Sequence, residues 1–289
     1  MKKLGIYYFS GTGNTEITAK LVAQSFEVLG WEVDVIRMED VNKGFSDLNI
    51  VQYDLIGFGC QVIGYGIPGV VRKFAKRLSS VSDNKKVFIF RTAGGVAEIN
   101  YNVSKGFIKI LTKKHYDVCY EQLFSIGSNW IIKFDDVIMK QLYQATKQKV
   151  TQMCEAINNG ERHFYKTGLF LRICMGTIAA FAARIFPLLG KDAVTNNSCT
   201  LCGLCSRSCP ANNITLKNGK IKFHISCSAC LRCVYTCPKQ AIHFRLFRFF
   251  IIPGGYHVKR SLSEEGNKCE KPNGKIPPFF RNYVEDNTL

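Results

Sequence analysis

Residues 4–15 read LGIYYFSGTGNT, an apolar run that ends in a loop of small and hydroxyl-bearing residues. The run Leu4–Phe9 predicts a buried strand. Apolar side chains then repeat with helical spacing over Thr15–Leu29, and Gly30 ends the pattern. Hydroxyls and free backbone N–H groups at the start of a helix can bind an anion. The stretch therefore predicts a strand, an anion-binding loop and a helix in direct succession.

Strand and helix patterns alternate through the first 160 residues. Further strands are predicted at Glu32–Met38, Asp54–Cys60, Lys86–Arg91 and Val118–Ile126, and further helices at Val70–Leu78, Glu98–Lys114 and Asp136–Ile157. Parallel strands need crossover connections, and helices supply them here. We therefore expect an α/β domain with a doubly wound parallel sheet of five strands over residues 1–160.

Composition excludes several classes of protein. The chain has 289 residues, of which 46% are hydrophobic and 21% charged, values typical of a globular protein rather than a disordered one. The apolar run after the N-terminal MKK is too short for the core of a signal peptide, so we expect a cytoplasmic, reducing location. Eight of the 13 cysteines lie between Cys199 and Cys237, and such clustering favours metal binding over disulfides.

Positive charge is concentrated in the second half of the chain. The formal net charge is +17, and the only acidic residue from Phe164 to Ser263 is Asp192. Nucleic acid is not expected as a partner, because the sequence contains no helix-turn-helix, finger or RNA-binding motif. We expect an anionic partner instead: a protein with an acidic surface or, less favoured, a membrane surface.

A cysteine motif, C-x₂-C-x₂-C-x₃-C-P, occurs twice. The first copy comprises Cys199, Cys202, Cys205 and Cys209, and the second, 28 positions further on, comprises Cys227, Cys230, Cys233 and Cys237. Three cysteines at this spacing can wrap one cubane, and the fourth serves the other cluster. We therefore expect two [4Fe–4S] clusters, one on Cys199, Cys202, Cys205 and Cys237 and one on Cys209, Cys227, Cys230 and Cys233. Zinc is disfavoured, since it has no use for the third cysteine.

A hairpin separates the two copies of the motif. Asn218-Gly219 stands between the strand-like segments ITLK and KIKF, a strong signal for a tight turn. The internal repeat predicts a small pseudo-symmetric α+β domain. Over residues 195–247 the sequence resembles the bacterial two-cluster ferredoxins.

The glycine-rich loop also resembles a known pattern. Ser10, Gly11, Thr12, Gly13, Asn14 and Thr15 have no Walker A lysine and no G-x-G-x-x-G spacing. The loop is similar to the phosphate loop of flavodoxins, which holds the terminal phosphate of FMN. The resemblance implies phosphate contacts from Ser10, Thr12, Asn14 and Thr15. The alternative is an ordinary polar helix cap.

The flavodoxin resemblance also implies where the flavin ring binds, at the carboxyl ends of later strands. The residues concerned are Val62, Ile63, Gly64, Tyr65 and Gly66 in one loop and Thr92, Ala93, Gly94 and Gly95 in another. Tyr65 could stack on the ring, and the second loop has no aromatic residue. Gly64–Gly69 also matches G-x-G-x-x-G, but it follows a later strand and Arg91 replaces the expected acidic residue, so NAD is not expected. Cys60 is interpreted as a core residue.

Residues 168–190 form the most hydrophobic stretch and contain Arg172, Arg184 and Pro187. A linker helix packed between domains is favoured, with a membrane-surface helix and a single membrane span as alternatives. The whole arrangement, including Ile126-Gly-Ser-Asn129-Trp130, resembles the flavodoxin–ferredoxin fusions called EFR-type ferredoxins.

Four regions follow from these patterns. They are a flavodoxin-like FMN-binding domain at 1–160, a hydrophobic helical linker at 161–194, a ferredoxin domain at 195–247 and an irregular basic tail at 248–289. We expect an iron–sulfur flavoprotein that carries electrons to a redox protein partner. No catalytic residues are predicted. The alternatives are a flavin-dependent reductase of a small substrate, fed by the clusters, and a non-catalytic docking or sensor module.

Overall fold

The computed structural model describes residues 1–263 and 278–285. The first domain contains a five-stranded sheet in the order β2-β1-β3-β4-β5, in which every neighbouring pair is parallel. The strands are β1 (Lys3–Phe9), β2 (Glu32–Arg37), β3 (Leu55–Gln61), β4 (Lys86–Thr92) and β5 (Asp117–Phe124). This strand order is that of doubly wound flavodoxin-like sheets, and the predicted fold class is confirmed.

Five helices belong to this domain: α1 (Asn14–Val28), α2 (Met38–Lys43), α3 (Gly69–Arg77), α4 (Lys105–Lys113) and α5 (Asp136–Asn158). The prediction of one helix over Glu98–Lys114 is wrong in part, because Glu98–Ser104 is a 3₁₀ helix that precedes α4. The short helix α2 was missed. It spans less than two turns and ends at Gly44 in a left-handed conformation, so it carries little helical periodicity.

Each face of the sheet packs against its own apolar layer. Phe58, Phe74 and Phe107 pack together on the α3 and α4 face. On the α1 and α5 face, the rings of Phe88 and Phe90 extend over the neighbouring strand β3. A side chain at Gly57 or Gly59 would collide with these rings, which explains the two glycines inside a buried strand.

A buried ion pair holds the chain that leaves α5 against the sheet. Arg91 Nη2 on β4 lies 3.2 Å from Glu121 Oε2 on β5, and both side chains are almost completely buried. The backbone N–H of Tyr165 donates to Glu121 Oε1, and the Tyr165 hydroxyl accepts from the N–H of Leu123. His163 forms an isolated parallel bridge with Tyr120. The first residues of the linker, before its helix, are thereby fixed along the outer edge of β5.

The linker contains α6 (Leu169–Ile185), a 3₁₀ turn (Phe186–Leu188) and α7 (Leu189–Asp192). The expectation that this helix is packed between domains is wrong for its outer side. Met175 is the only fully buried residue of α6, and an apolar 18-residue window within Leu169–Asp192 is 11% buried. By length and composition alone, that stretch could cross a membrane.

The second domain is a small α+β unit. It contains β6 (Ala193–Thr195), α8 (Leu204–Ser208), β7 (Ile214–Lys217), β8 (Lys220–Phe223), α9 (Arg232–Tyr235) and β9 (Ile242–Phe244). β6 pairs with β9, and β7 with β8, both antiparallel. The predicted hairpin is confirmed, with Asn218 and Gly219 both at positive φ as a two-residue turn requires.

The prediction of an irregular tail is wrong for the described part of residues 248–289. It contains a 3₁₀ turn (Arg248–Phe250), α10 (Val258–Ser261) and α11 (Pro278–Glu285). The Tyr283 hydroxyl accepts from the N–H of Ser125 and bonds to Thr146 of α5, so α11 packs on the first domain. The sequence did not predict α11, because the helix is too short to show a clear helical periodicity of apolar residues. Residues 264–277 and 286–289 lie outside the described part of the chain.

Candidate cofactor site

The loop between β1 and α1 has the features of an anion cradle. Gly13, at the N-cap of α1, has φ 112° and supplies no side chain to cap the helix. The N–H of Gly13 donates to Ser10 Oγ (3.1 Å), and Asn129 Nδ2 donates to Thr12 Oγ1 (2.9 Å). Both hydroxyls are acceptors in these bonds, so their own protons remain available to an anion. The loop fits a phosphate group without a cationic side chain.

Hydrogen bonds tie this loop to the other loops at the carboxyl edge of the sheet. The N–H of Gly11 donates to Gln61 Oε1 at the end of β3. The buried Thr15 Oγ1 lies 2.7 Å from Thr92 Oγ1 at the end of β4. Asn14 Nδ2 donates to the carbonyl of Gly127 after β5 (2.9 Å). Gln61 directly precedes the first predicted ring loop, and Gly127 lies in the stretch Ile126-Gly-Ser-Asn129-Trp130, but nothing in the sequence indicates that either contacts the phosphate loop.

The two predicted flavin-ring loops differ in their surroundings. Ile63 and Gly66 exchange backbone hydrogen bonds in a tight turn, with Gly64 and the exposed Tyr65 at positive φ between them. A side chain at Gly64 would collide with the ring of Phe186, so this loop lies against the end of the linker helix.

Val62 precedes this turn, and its N–H donates to the carbonyl of Thr92, which links the first ring loop to the second. In the second loop, Thr92 and Ala93 are buried, Gly94 lies against Ser128 and Gly95 accepts from Asn100 Nδ2.

A cleft of about 840 Å³ lies beside the phosphate loop. Its lining includes Ser10, Gly11, Thr12 and Gly13 of the loop, together with Tyr235 and Tyr256 from beyond the first domain. Its cationic residues are Arg37, Lys43, Arg207, Arg232, Lys259 and Arg260. Ile63 and Gly66 line a separate cleft of about 330 Å³. The phosphate loop and the first ring loop therefore line different clefts.

Arg232 joins the two domains at the phosphate loop. Its guanidinium donates to the carbonyls of Ser10, Gly11 and Ser208, and Nη2 lies 2.6 Å from Glu39 Oε1 of α2. Its side chain is only 13% exposed. Arg232 is therefore not one of the exposed cations in the basic second half of the chain. Arg232 lies inside a cysteine motif, and nothing in the sequence of that motif indicates that it pairs with an acidic residue in the distant α2.

The cysteines line two separate cavities. Cys199, Cys202, Cys205 and Cys237 line the first, and Cys209, Cys227, Cys230 and Cys233 line the second. Each cavity therefore receives three cysteines from one motif and one from the other. Within residues 1–263 and 278–285, no group of three or more His, Cys, Asp or Glu residues is placed to hold a single metal ion.

The two cavities differ in depth. Burial raises the pKa of Cys227 to about 12 and that of Cys230 to about 11. Cys202 is exposed, and hydrogen bonding from the backbone of Leu204 lowers its pKa. A side chain at Gly11 would lie 2.5 Å from the carbonyl oxygen of Cys230. The deeper cavity therefore adjoins the phosphate loop, and the shallower one lies near solvent.

Comparisons with known proteins agree with the resemblances expected for the first and the second domain. Residues 198–242 match the family described as "4Fe-4S dicluster domain". Over 91 residues, the chain is 32% identical to a flavodoxin of Clostridium beijerinckii and 33% identical to one of Megasphaera elsdenii. This chain combines a flavodoxin-like domain with a 4Fe–4S dicluster domain. Each alignment covers 31% of the chain, and 63% and 64% of the respective flavodoxins.

Solved flavodoxin structures also align with the flavodoxin-like domain. Flavodoxin 2 from Bacillus cereus is 19% identical with a TM-score of 0.42, and the Streptococcus pneumoniae TIGR4 flavodoxin is 18% identical with a TM-score of 0.41. Each alignment covers 55% of the chain and 99% of the solved structure. The sequence matches support FMN binding in the flavodoxin-like domain and 4Fe–4S binding in the dicluster domain.

Proposed function

We propose that the protein is an electron carrier that binds FMN and two [4Fe–4S] clusters and exchanges electrons with a redox protein partner. When bound, FMN supplies one- or two-electron chemistry and each cluster supplies one-electron chemistry. The observation that carries the proposal is the sorting of the eight cysteines into two cavities, the deeper of which adjoins the phosphate loop.

For FMN, the proposed ligands are those of the phosphate loop and the two ring loops. The Ser10 and Thr12 hydroxyls and the uncapped N–H groups of α1 would bind the phosphate. The backbone of Gly11 and Gly13 brings these groups close together. Asn14 and Thr15 are engaged by Gly127 and Thr92, so their role in this proposal is to hold the loop in position.

For the clusters, the proposed ligands are the two crossed sets of cysteines that line the cavities. Thiols buried as deeply as Cys227 and Cys230 resist ionisation in an apolar cavity. The irons of a cluster would compensate the negative charge of the thiolates. We therefore expect cluster assembly to release the thiol protons and to stabilise the domain.

The shallow cavity is the proposed exit to the partner. Ile221 of β8 lines it together with Pro238 and Lys239. Lys220 and Lys222, on either side of Ile221, are exposed. These lysines form a cationic rim next to the proposed cluster site. Such a rim supports docking of a protein with an acidic surface, because opposite charges on two proteins accelerate their association. The two domain types also support a cytoplasmic location.

Anaerobic purification followed by quantitation of iron, sulfide and released flavin tests the proposal. We expect eight irons, eight sulfides and one FMN per chain, in keeping with two cubanes (about four irons each). Reductive titration followed by visible absorption and EPR should then show flavin and cluster signals in one protein. A preparation that contains clusters but binds no FMN when the flavin is added would contradict the carrier function.

A further inference from the structure

An apolar ridge runs along the outer side of the linker. It consists of six large hydrophobic side chains that are 46–82% exposed: Leu169, Phe170, Ile173, Ile178, Phe181 and Leu188. Phe170, Ile173 and Phe181 recur at helical spacing and therefore share one side of α6, and Leu188 follows in the 3₁₀ turn. The opposite side packs on the protein through Met175, Ala179 and Ala182. A contiguous exposed apolar surface of this kind marks an interaction site.

An aromatic chain extends the apolar ridge beyond the helix. The ring of Phe186 lies 5.5 Å from that of Trp130, which lies 4.5 Å from that of Phe250. Phe250 in turn lies 4.5 Å from the ring of Phe249, which is 59% exposed. Ile131, next to Trp130, is 57% exposed. The apolar surface therefore includes residues from the first domain, the linker and the segment that follows the second domain.

The apolar ridge carries positive charge. Arg172 and Arg184 are exposed on α6, and Arg245 and Arg248 are exposed near Phe249. Asp192, the only acidic residue between Phe164 and Ser263, accepts hydrogen bonds from the N–H groups of Leu246 and Phe247 with its two carboxylate oxygens. The oxygens of Asp192 are thus already hydrogen-bonded, and these arginines have no ion-pair partner within this segment.

Both ends of the linker helix are attached to the folded body. Before α6, Thr167 Oγ1 donates to Asn102 Oδ1 (2.7 Å), and Tyr165 is bonded to β5. After it, Leu189 and Gly190 are buried, and a side chain at Gly190 would collide with the carbonyl of His224. A helix that crossed a bilayer would place its ends on opposite sides. The attachments therefore favour a helix that lies parallel to a surface.

We propose that the apolar ridge docks the protein on an anionic phospholipid surface, with α6 in the plane of the membrane. The Phe, Leu and Ile side chains would enter the boundary between headgroups and acyl chains, and Arg172 and Arg184 would reach lipid phosphates. This surface differs from the lysine hairpin assigned above to a protein partner, so a redox partner and the membrane can be engaged together.

A second copy of the chain fits this surface less well. A two-fold dimer through the apolar ridge would bring two sets of arginines into one interface. Residues 164–263 supply no free carboxylate to pair with them, and like charges that lose water are costly. Anionic lipid headgroups provide the missing negative charge, and the adjoining acyl chains accommodate the apolar side chains.

Co-sedimentation of the full-length, cofactor-loaded protein with preformed vesicles tests the proposal. We expect binding to vesicles of phosphatidylglycerol and phosphatidylcholine, weaker binding to phosphatidylcholine alone, and release at high salt. Phe170→Glu and Phe181→Glu should each lower the partition coefficient about tenfold or more. Arg172→Gln and Arg184→Gln should each lower it about fivefold on anionic vesicles only.

Matched controls separate docking from misfolding. Val28→Glu and Val51→Glu place the same charge at residues that are 88% and 79% exposed on other parts of the surface, and both should bind vesicles normally. Iron and flavin content should be the same in every variant.

Three outcomes would overturn the proposal. One is that wild type does not bind anionic vesicles, and the second is that the ridge variants bind as well as the controls. The third is a salt-resistant association of wild type that only detergent reverses, which indicates a membrane span. If Phe181→Glu instead converts a dimer into a monomer without any vesicle binding by wild type, the ridge is an interface between copies.

Discussion

Arg232 Nη2, in the second cysteine motif, lies 2.6 Å from Glu39 Oε1 in α2, and both side chains are largely buried. The same guanidinium donates to the carbonyls of Ser10 and Gly11. One residue therefore connects a cluster-binding motif, the phosphate loop and an acidic side chain of the sheet domain. This contact makes the proposed cofactor sites parts of one body.

Replacement of Arg232 should weaken the contact between the domains. Arg232→Met leaves the Glu39 carboxylate buried without its partner and should cost about 3–5 kcal/mol of stability. An anaerobic urea titration measures the loss, and FMN titration should show weaker binding because the Ser10 and Gly11 carbonyls lose their donor. Arg245→Met, at an exposed arginine, is the control and should change neither quantity. Equal behaviour of the two variants would show that the ion pair contributes nothing measurable.

Gly11 should be intolerant of any side chain. An alanine Cβ would lie 2.5 Å from the carbonyl oxygen of Cys230 and 2.8 Å from Gln61 Oε1, so the phosphate loop and the second motif would have to separate. We expect Gly11→Ala to lower FMN affinity and to perturb the EPR signal of one cluster. Gly106→Ala is the control, because Gly106 lies in α4 with nothing within 4 Å of the added methyl group. It should raise stability by about 0.5–1 kcal/mol.

The crossed cysteine sets predict that two similar cysteine substitutions affect different clusters. Cys237→Ser should perturb the cluster of the shallow cavity and leave the flavin unaffected. Cys209→Ser should perturb the cluster of the deep cavity, which adjoins the phosphate loop, and should also change the flavin spectrum. EPR and visible spectra of the anaerobically purified variants distinguish the two effects. If Cys237→Ser removed the centre of Cys227, Cys230 and Cys233 instead, the crossed assignment would be wrong.

Local patterns in the sequence were sufficient to predict the architecture of the protein. Strand runs such as Leu4–Phe9, helical periodicity and the Asn218-Gly219 turn are properties of short segments, and the predicted fold class is confirmed by the structure and by the sequence matches. The two copies of the cysteine motif gave the dicluster domain for the same reason: iron–sulfur ligation imposes a fixed spacing on neighbouring residues.

Contacts between distant segments could not be predicted. The bonds of Arg232 to Glu39 and of Asn129 to Thr12 join residues more than a hundred positions apart, and a single sequence contains no signal of such pairs. The exposure of α6 was also misjudged, because an apolar helix in a core and one on a surface have similar composition. The sequence likewise did not indicate that the phosphate loop and Gly66 line separate clefts.

The docked helix α11 should loosen at alkaline pH. Burial raises the pKa of Tyr283 to about 12 from an ordinary value of 10.0, so the folded protein retains a proton that the unfolded chain loses. The unfolded state then binds fewer protons between pH 10 and pH 12, and stability falls as pH rises through this window, by at most about 2.7 kcal/mol. Tyr283→Phe should lower stability by about 1–2 kcal/mol at neutral pH, since the N–H of Ser125 loses its acceptor.

Denaturation of Tyr283→Phe and wild type as a function of pH separates these effects. The variant should lack the Tyr283 contribution to the alkaline loss, so the difference between the two proteins should shrink above pH 10. A difference that stays constant up to pH 12 would show that Tyr283 has the same pKa in the folded and unfolded states.

Charge reversal on the β7–β8 hairpin should slow electron exchange with an acidic protein. Lys220 and Lys222 flank Ile221, which lines the shallow cavity, so Lys220→Glu/Lys222→Glu places two carboxylates beside the proposed exit. We expect the second-order rate constant with a small acidic redox protein to fall about tenfold or more at low ionic strength and to approach that of wild type at high salt. Stopped-flow absorbance across a salt series measures both limits. The control is Lys109→Glu/Lys113→Glu, which makes the same change in net charge on α4, away from both cavities. If the control slows the reaction as much as the hairpin variant, net charge alone governs encounter and the hairpin is not the docking site.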